Sequence, residues 1–264
     1  MKIIKSNDEL MQFIPNVVTA VEGEKDLFTK IQTYIIMAES WLFRNVAKPS
    51  AFTLDEPAMV YAQSIVAAEA FRNAIPSLNV ILTENGFGIV SNGSVAPASK
   101  DRTDKLAEAL IEHRDKAIEQ LVLNLGGAGT TFSRTVFAGY EAQRMQDIST
   151  HLFDRFMEQR PKVLKIQHDL AEDAVTYDIL EEAVEWTYSD ELERPAGYNT
   201  LIIRIKDIIC KQLKGDDTKH DVQDLVEFIR THTAEFPNWA SSTVAEKWAD
   251  HRYVNDKKSG GYWL

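Results

Sequence analysis

The segment AMVYAQSIVAAEAFRNAI, residues 58–75, places the tightest constraint on the fold. Pro57 directly precedes it, and proline suits the first turn of a helix because its φ is fixed and no N–H partner is needed there. Apolar side chains lie on more than one side of this predicted helix, so neighbouring elements must cover several of its sides. A helix of this kind is central in a bundle. Its apolar positions are Val60, Ala62, Ile65, Val66, Ala68 and Phe71.

Further helices are predicted on both sides of this central one. Residues 26–44 carry apolar side chains at helical spacing, among them Leu27, Ile31 and Ile35. A long helix is predicted from about residue 99 to Leu125, with apolar residues along two flanks. The sequence therefore predicts a mainly α fold, a helical bundle accompanied by one or two short β-hairpins.

The first of those hairpins is predicted within VILTENGFGIVSNGSVAPASKDRTDKL, residues 80–106. A short apolar run is followed by Asn85-Gly86, a pair suited to a positive-φ turn, and a second apolar run then returns. The stretch contains no catalytic group and no phosphate-binding lysine in a proper loop, so its glycines and asparagines indicate turns. The apolar residues of the return run must bury against this chain or against another one. They are Phe87, Ile89 and Val90.

The glycine-rich segment GGAGTT, residues 126–131, separates two halves of the chain. No lysine follows as in a phosphate-binding loop, so we interpret it as a helix stop and a flexible linker. Residues 1–125 then form a helical bundle with a hairpin near residues 80–90, and residues 132–264 form a second helical region. Helices are predicted there over residues 133–158, 161–188, 199–213 and 221–235. A diverged duplication of helices plus hairpin is one interpretation of the two halves.

The C-terminal segment YVNDKKSGGYWL is predicted to form a strand or hairpin rich in aromatic residues. One interpretation is a local core that ties down the terminus. The other is an edge that pairs with another chain, because aromatic side chains anchor interfaces and a terminal strand can extend a neighbouring sheet. On that second interpretation the hairpin residues Phe87, Ile89 and Val90 are joined at the interface by Tyr253, Tyr262, Trp263 and Leu264.

Charge is distributed unevenly along the chain. The net charge of −11 argues against direct nucleic-acid binding, which needs clustered Lys and Arg. Residues 169–193 contain ten carboxylates and no Lys or Arg. They form either a solvated helix face or a surface that meets a basic partner or repels a polyanion. The residues assigned to this acidic face are Asp169, Glu172, Asp173, Asp178, Glu181, Glu182 and Glu185.

Motifs for catalysis, metals or cofactors are missing from the sequence. The histidines do not form H-E-x-x-H, and no G-x-S-x-G elbow occurs. The single cysteine, Cys210, lies in an apolar stretch and is expected in the core. No apolar run is long enough to span a bilayer, and no signal peptide is apparent. We therefore expect no enzyme activity, no metal, no cofactor and no membrane partner.

Two stretches, SNDELMQFIPNVV and NGFGIVSNGSVAPASKDRTDKL, carry a resemblance to a known family. The chain resembles an uncharacterised family of phage and prophage proteins from Bacteroidales, associated with the head-to-tail connector, or neck, of tailed virions. The shared pattern is a Gly-Phe-Gly hairpin, an Asn-bearing turn and Ala-Pro-Ala-Ser-Lys leading into a helix. It covers about the first 125 residues, and no catalytic residues come with it.

This resemblance implies a virion structural protein. Connector adaptors form rings, usually of twelve copies, under the portal protein and around a DNA channel with acidic walls. The implied partners are other copies of this chain, the portal protein and a tail or stopper component, with DNA passing nearby without specific binding. The implied location is the virion neck, and the host cytoplasm during assembly.

Two other classes of function stay open. One is a helical enzyme or small-ligand-binding protein of the host, which predicts a deep pocket holding several of His113, His151, His168 and the acidic residues. The other is a scaffold protein that binds a basic partner through the acidic face.

Overall fold

The computed structural model describes residues 2–14, 25–52, 56–78, 80–83, 86–89, 99–189 and 193–249. These residues are mainly α-helical, which confirms the main statement of the predicted fold class. The helices of the first half are α1 Asn7–Met11, α2 Leu27–Lys30, α3 Gln32–Asn45, α4 Glu56–Leu78 and α5 Lys100–Asn124. Those of the second half are α6 Glu141–Arg144, α7 Leu152–Leu170, α8 Tyr177–Trp186, α9 Ala196–Lys214, α10 Lys219–Thr231 and α11 Thr243–Lys247.

Helix α4 is central in the first half, as its apolar pattern predicts. It packs against α3 on one side and α5 on another. Ile65 and Val66 are fully buried, and burying side chains of this size contributes about 1.5–3 kcal/mol each. Val60 is an exception to the predicted pattern, because its side chain is 49% exposed. The helix is therefore covered on two sides and open on a third near its N-terminus.

Strand is almost absent from the described residues. The paired strands there are β1 Val80–Thr83 and β2 Gly86–Ile89, four residues each, joined antiparallel. The architecture is therefore helical, and the prediction that short β-hairpins accompany the bundle is not borne out. The second predicted strand or hairpin, in the C-terminal segment, lies outside the described residues.

Residues 126–131 form a series of turns that contact the end of α3. The N–H of Lys48 donates to the carbonyl of Gly129 at 3.0 Å, and the N–H of Thr131 donates to the carbonyl of Val46 at 2.8 Å. Positive φ at Gly126, Gly127 and Gly129 permits these turns, since only glycine adopts that backbone at little cost.

Apolar residues form two clusters. The first contains α3, α4 and α5, and it also takes in Phe132, Tyr140, Phe153 and Phe156 from beyond the glycine-rich segment. The second is built mainly from α7 to α10. The two-part division at residues 126–131 and the diverged duplication both stay predictions.

The predicted helix over residues 133–158 is wrong. Only α6, with four residues, and the first turns of α7 are α-helical in that range. The reason is backbone geometry, because Gly139, Asp147 and His151 have positive φ, which a right-handed helix does not accommodate. Pro161 lies inside α7 and does not begin a helix as predicted.

Candidate functional site

The predicted acidic face lies on three consecutive elements. These are the end of α7, a π-helical turn at Ala171–Val175, and α8. All seven carboxylate side chains assigned to it are exposed, and we call this set the acidic surface. Its members are Asp169, Glu172, Asp173, Asp178, Glu181, Glu182 and Glu185.

Helix α8 owes its orientation to its apolar side and to the turn before it. Ile179, Leu180 and Ala183 are buried, so the carboxylates between them face outward. Thr176 precedes the helix with φ 92°, which is a genuine outlier for a β-branched residue. Its hydroxyl accepts a hydrogen bond from the N–H of Ile179 at 3.5 Å and so caps the helix.

Residues near the C-terminus hold the π-helical turn in place. The indole N–H of Trp239 donates to the carbonyl of Ala174 at 2.8 Å, and that of Trp248 donates to the carbonyl of Asp173 at 2.5 Å. Lys247 Nζ lies 2.8 Å from Asp173 Oδ1. Trp239 is 3% exposed, so this tryptophan belongs to the local core. The acidic surface is thus built on a braced element of the fold.

Part of the acidic surface is compensated by neighbouring groups. Glu172 Oε1 lies 3.5 Å from His168 Nε2 and accepts a hydrogen bond from the Tyr177 hydroxyl at 3.3 Å. Glu182 accepts a hydrogen bond from the Tyr198 hydroxyl. Burial and this carboxylate together raise the pKa of Tyr198 well above its ordinary value, so the phenol stays protonated.

The remaining carboxylates carry their charge without compensation. Asp169, Asp178, Glu181 and Glu185 form no ion pair with any other described residue. The last three are spaced i, i+3 and i+7 along α8, which places them on one side of the helix. This side of α8 is a negatively charged surface available to a partner.

Only two of the residues predicted to contact other chains lie within the described part of the structure. Phe87 and Ile89 lie in β2, opposite Leu82 and Val80 of β1. The others lie outside the described residues. They are Val90, Tyr253, Tyr262, Trp263 and Leu264.

The three histidines considered for a pocket make separate contacts. His113 Nε2 lies 2.8 Å from the hydroxyl of Ser64, and His168 Nδ1 lies 2.7 Å from the hydroxyl of Tyr177. His151 Nε2 lies 3.0 Å from Glu108 Oε2. A surface cavity of about 390 Å³ is lined by His151 but by neither of the other two. The structure does not bring these histidines together.

The described part of the chain lacks the features of metal sites, membrane spans and reactive thiols. It contains no group of three or more His, Cys, Asp or Glu side chains arranged to hold a metal ion. None of its helices combines the length and apolar character needed to cross a membrane. Cys210 is buried, and this burial raises the pKa of its thiol to about 11, so the sulfur is protonated and unreactive.

A cavity of about 240 Å³ between the end of α3, the glycine-rich turns and α7 was not predicted from the sequence. The described residues that line it include four cationic side chains and no Asp or Glu, and we call it the basic cavity. Its cations come from three distant stretches of the chain, so no local sequence pattern predicts the cavity. They are Arg44, Lys48, Arg134 and Arg160.

A buried ion network between α4 and α5 was missed for the same reason. Arg114 is 3% exposed and donates to Glu69 Oε2 at 3.1 Å and to Asp115 Oδ1 at 2.8 and 2.9 Å. Asp115 also accepts a hydrogen bond from the backbone N–H of Phe153 at 3.2 Å. This network ties α7 to the central helices and supports the elements that carry both charged surfaces.

Comparison with known proteins adds one match. Residues 17–139 match the model of a family of unknown function, DUF6712. The chain matches no curated protein and no solved structure. The family description gives no function, so the resemblance to phage connector proteins stays a prediction.

Proposed function

We propose that the protein is a structural subunit of a phage virion, an adaptor of the head-to-tail connector that assembles as a ring between portal and tail. The observation that carries this proposal is the acidic surface. It consists of exposed carboxylates on braced helices, and five of them form no ion pair with a cation among the described residues. A surface of this kind suits contact with other macromolecules more than chemistry on a small substrate.

The proposed ring contains about twelve copies, with the portal protein on one side and a tail or stopper component on the other. Within it, the acidic surface has two possible positions. On the channel wall it would repel the phosphate backbone and leave DNA free to slide. Between subunits it would meet a basic surface of a neighbour. Phe87 and Ile89 of β2 and the C-terminal aromatic residues would contact other chains.

Purified portal protein of the same virion provides the test. We expect negative-stain images of the mixture to show portal rings with an added layer of density. Portal rings that remain bare, with this protein as separate monomers, would contradict the proposal.

A pair of variants sharpens this experiment. Phe87→Asp combined with Ile89→Asp should reduce the added layer. Ile36→Asp combined with Met37→Asp should not, although it introduces the same charges on a different surface, where these two side chains are 56% and 59% exposed. Equal loss in both variants would show that β2 has no particular part in assembly.

A second candidate is a scaffold protein outside the virion that binds a basic partner. The unpaired carboxylates Asp178, Glu181 and Glu185 on one side of α8 favour it. This candidate predicts salt-dependent binding to a polybasic peptide and no binding to portal rings. The first candidate predicts portal binding.

A further inference from the structure

The basic cavity concentrates positive charge in a protein whose net charge is −11. Arg44, Lys48, Arg134 and Arg160 form no ion pair with any other described residue. Partial burial lowers the pKa of Arg160, and repulsion by the neighbouring Arg134 cation lowers it further. An anionic partner would relieve this repulsion.

Backbone hydrogen bonds keep the wall of the cavity in place. Lys48 and Thr131 each donate a backbone N–H across the boundary between α3 and the glycine-rich turns. Arg160 Nε donates to the carbonyl of Thr131 at 2.9 Å, which fixes α7 against the same turns. The cations therefore project from a preorganised wall, and binding need not order it first.

The acidic surface has the opposite charge and a comparable lack of compensation. Arg160 and Asp169 both belong to α7 and are nine residues apart, or about 2.5 turns at 3.6 residues per turn. Asp169 therefore projects from the side of α7 opposite to Arg160. Along α7 the two charged groups point away from each other, and each can meet its complement on a second molecule.

We propose that the basic cavity of one copy receives the acidic surface of a second copy. The contact joins two different surfaces in a head-to-tail arrangement, and such an arrangement forms a ring when the rotation between neighbouring copies closes. It rests on the proposed ring assembly, and it assigns the acidic surface to the contact between subunits and not to the channel wall. Charge complementarity of this type sets the orientation of the partners.

The first test is the salt dependence of self-association, measured by sedimentation velocity on the full chain with and without portal rings. The Debye length is about 10 Å at 0.1 M salt and shortens as salt rises. We expect the apparent dissociation constant to rise by roughly tenfold or more between low and high salt. If copies of this chain do not associate with one another at low salt, either alone or in the presence of portal rings, the proposal is overturned.

Charge reversal gives a sharper test. One variant combines Arg44→Glu, Lys48→Glu and Arg134→Glu, whose side chains are exposed. A second combines Asp178→Lys, Glu181→Lys and Glu185→Lys. Each variant alone should fail to associate, because like charges then face each other. An equal mixture of the two should associate again, because each surface finds its complement on the other variant.

A third variant controls for net charge. Lys100→Glu, Arg102→Glu and Lys116→Glu on α5 change the charge by the same amount at exposed positions away from the basic cavity. It should associate as the unchanged protein does. Normal association by the basic-cavity variant, or a mixture that stays monomeric, would overturn the proposal.

Two further measurements distinguish contact between copies from binding of a different anion and from binding to the portal. The first measurement is the binding of pyrophosphate or duplex DNA. If the unchanged protein binds either one, and the basic-cavity variant loses that binding but still self-associates, the assignment to a second copy is wrong. Portal binding without self-association overturns this inference alone. Self-association without portal binding instead contradicts the connector role.

Discussion

Arg114 is expected to be one of the most sensitive positions for stability. Its guanidinium is buried between Glu69 of α4 and Asp115 of α5, and it also lies 5.2 Å from the ring centroid of Trp41 in α3. Replacement by methionine keeps much of the apolar stem and removes the cation. The change therefore tests the charge of the network more than its volume.

The two carboxylates depend on Arg114 to different degrees. Glu69 would keep Arg72 at 2.6 Å and the side-chain amide of Asn73 at 3.0 Å. Asp115 would keep, among the described residues, only the backbone N–H of Phe153. Breaking a buried pair by removing one partner costs about 3–5 kcal/mol. We expect Arg114→Met to lose that much of a total stability of about 5–15 kcal/mol.

The loss should depend on pH in a defined direction. Burial already raises the pKa of Asp115 above its ordinary value, although Arg114 opposes the shift. A carboxyl whose folded pKa exceeds its unfolded value destabilises the fold while ionised, and this penalty disappears as the pH falls through the folded pKa. Without Arg114 the pKa rises further, so acidification should shrink the difference between Arg114→Met and the unchanged protein.

Guanidinium-induced unfolding measures this difference directly. Arg155→Met is a matched control, because Arg155 pairs with Glu158 at 2.9 Å where both side chains are more than half exposed. Exposed pairs contribute about 0–1 kcal/mol. Adding Asp115→Asn to Arg114→Met should recover part of the loss by removing the stranded charge. A loss for Arg114→Met no larger than that of Arg155→Met would refute this reasoning.

Three further predictions concern a turn, a histidine and the thiol. Gly127→Ala should lose roughly 2–5 kcal/mol by thermal unfolding, because φ is +71° and a Cβ would lie 2.5 Å from the Tyr188 ring. Gly126→Ala, with φ +55° and no atom within 4 Å, should lose only about 1–2 kcal/mol. Partial desolvation and the nearby Lys116 cation lower the pKa of His113, so its stabilising contribution is present above its unfolded pKa and is lost on acidification below about pH 6.5. His113→Gln should therefore flatten the acid side of a stability profile, and an unchanged profile would contradict this. A thiol reagent should modify Cys210 only on unfolding, whereas rapid stoichiometric reaction of the folded protein would contradict its burial.

The sequence was most informative where the pattern of apolar and charged residues within a single helix is enough to predict its environment. The central position of α4 follows from apolar residues on several sides, and the exposure of the acidic surface follows from the spacing of its carboxylates. The break between α6 and α7 was hidden, because Asp147 and His151 adopt positive φ without being glycine. Asp147 lies in a local turn that ends α6, where the N–H of Ile148 donates to the carbonyl of Gln143 at 3.0 Å, and His151 contacts the distant Glu108.

The two features that sequence reasoning missed are both tertiary. From the sequence alone, Arg114 is expected to be an exposed residue of an amphipathic helix. In the fold, α4 places Glu69 beside it, although the two residues are 45 positions apart in the chain. The basic cavity needs residues from α3, the region after the glycine-rich turns, and α7. Neither the residues of the buried network nor those of the basic cavity have a characteristic spacing in the sequence. Only the folded chain places them together.

Helix α7 connects these features to one another. Its first turn donates a backbone N–H to Asp115 in the buried network, its middle carries Arg160 of the basic cavity, and its end carries Asp169 of the acidic surface. A change that displaces α7 must therefore move both charged surfaces together. We expect Arg114→Met to weaken stability and association alike, whereas charge reversal at exposed positions should weaken association alone. That contrast distinguishes a contact made by the surfaces from an effect of the core beneath them.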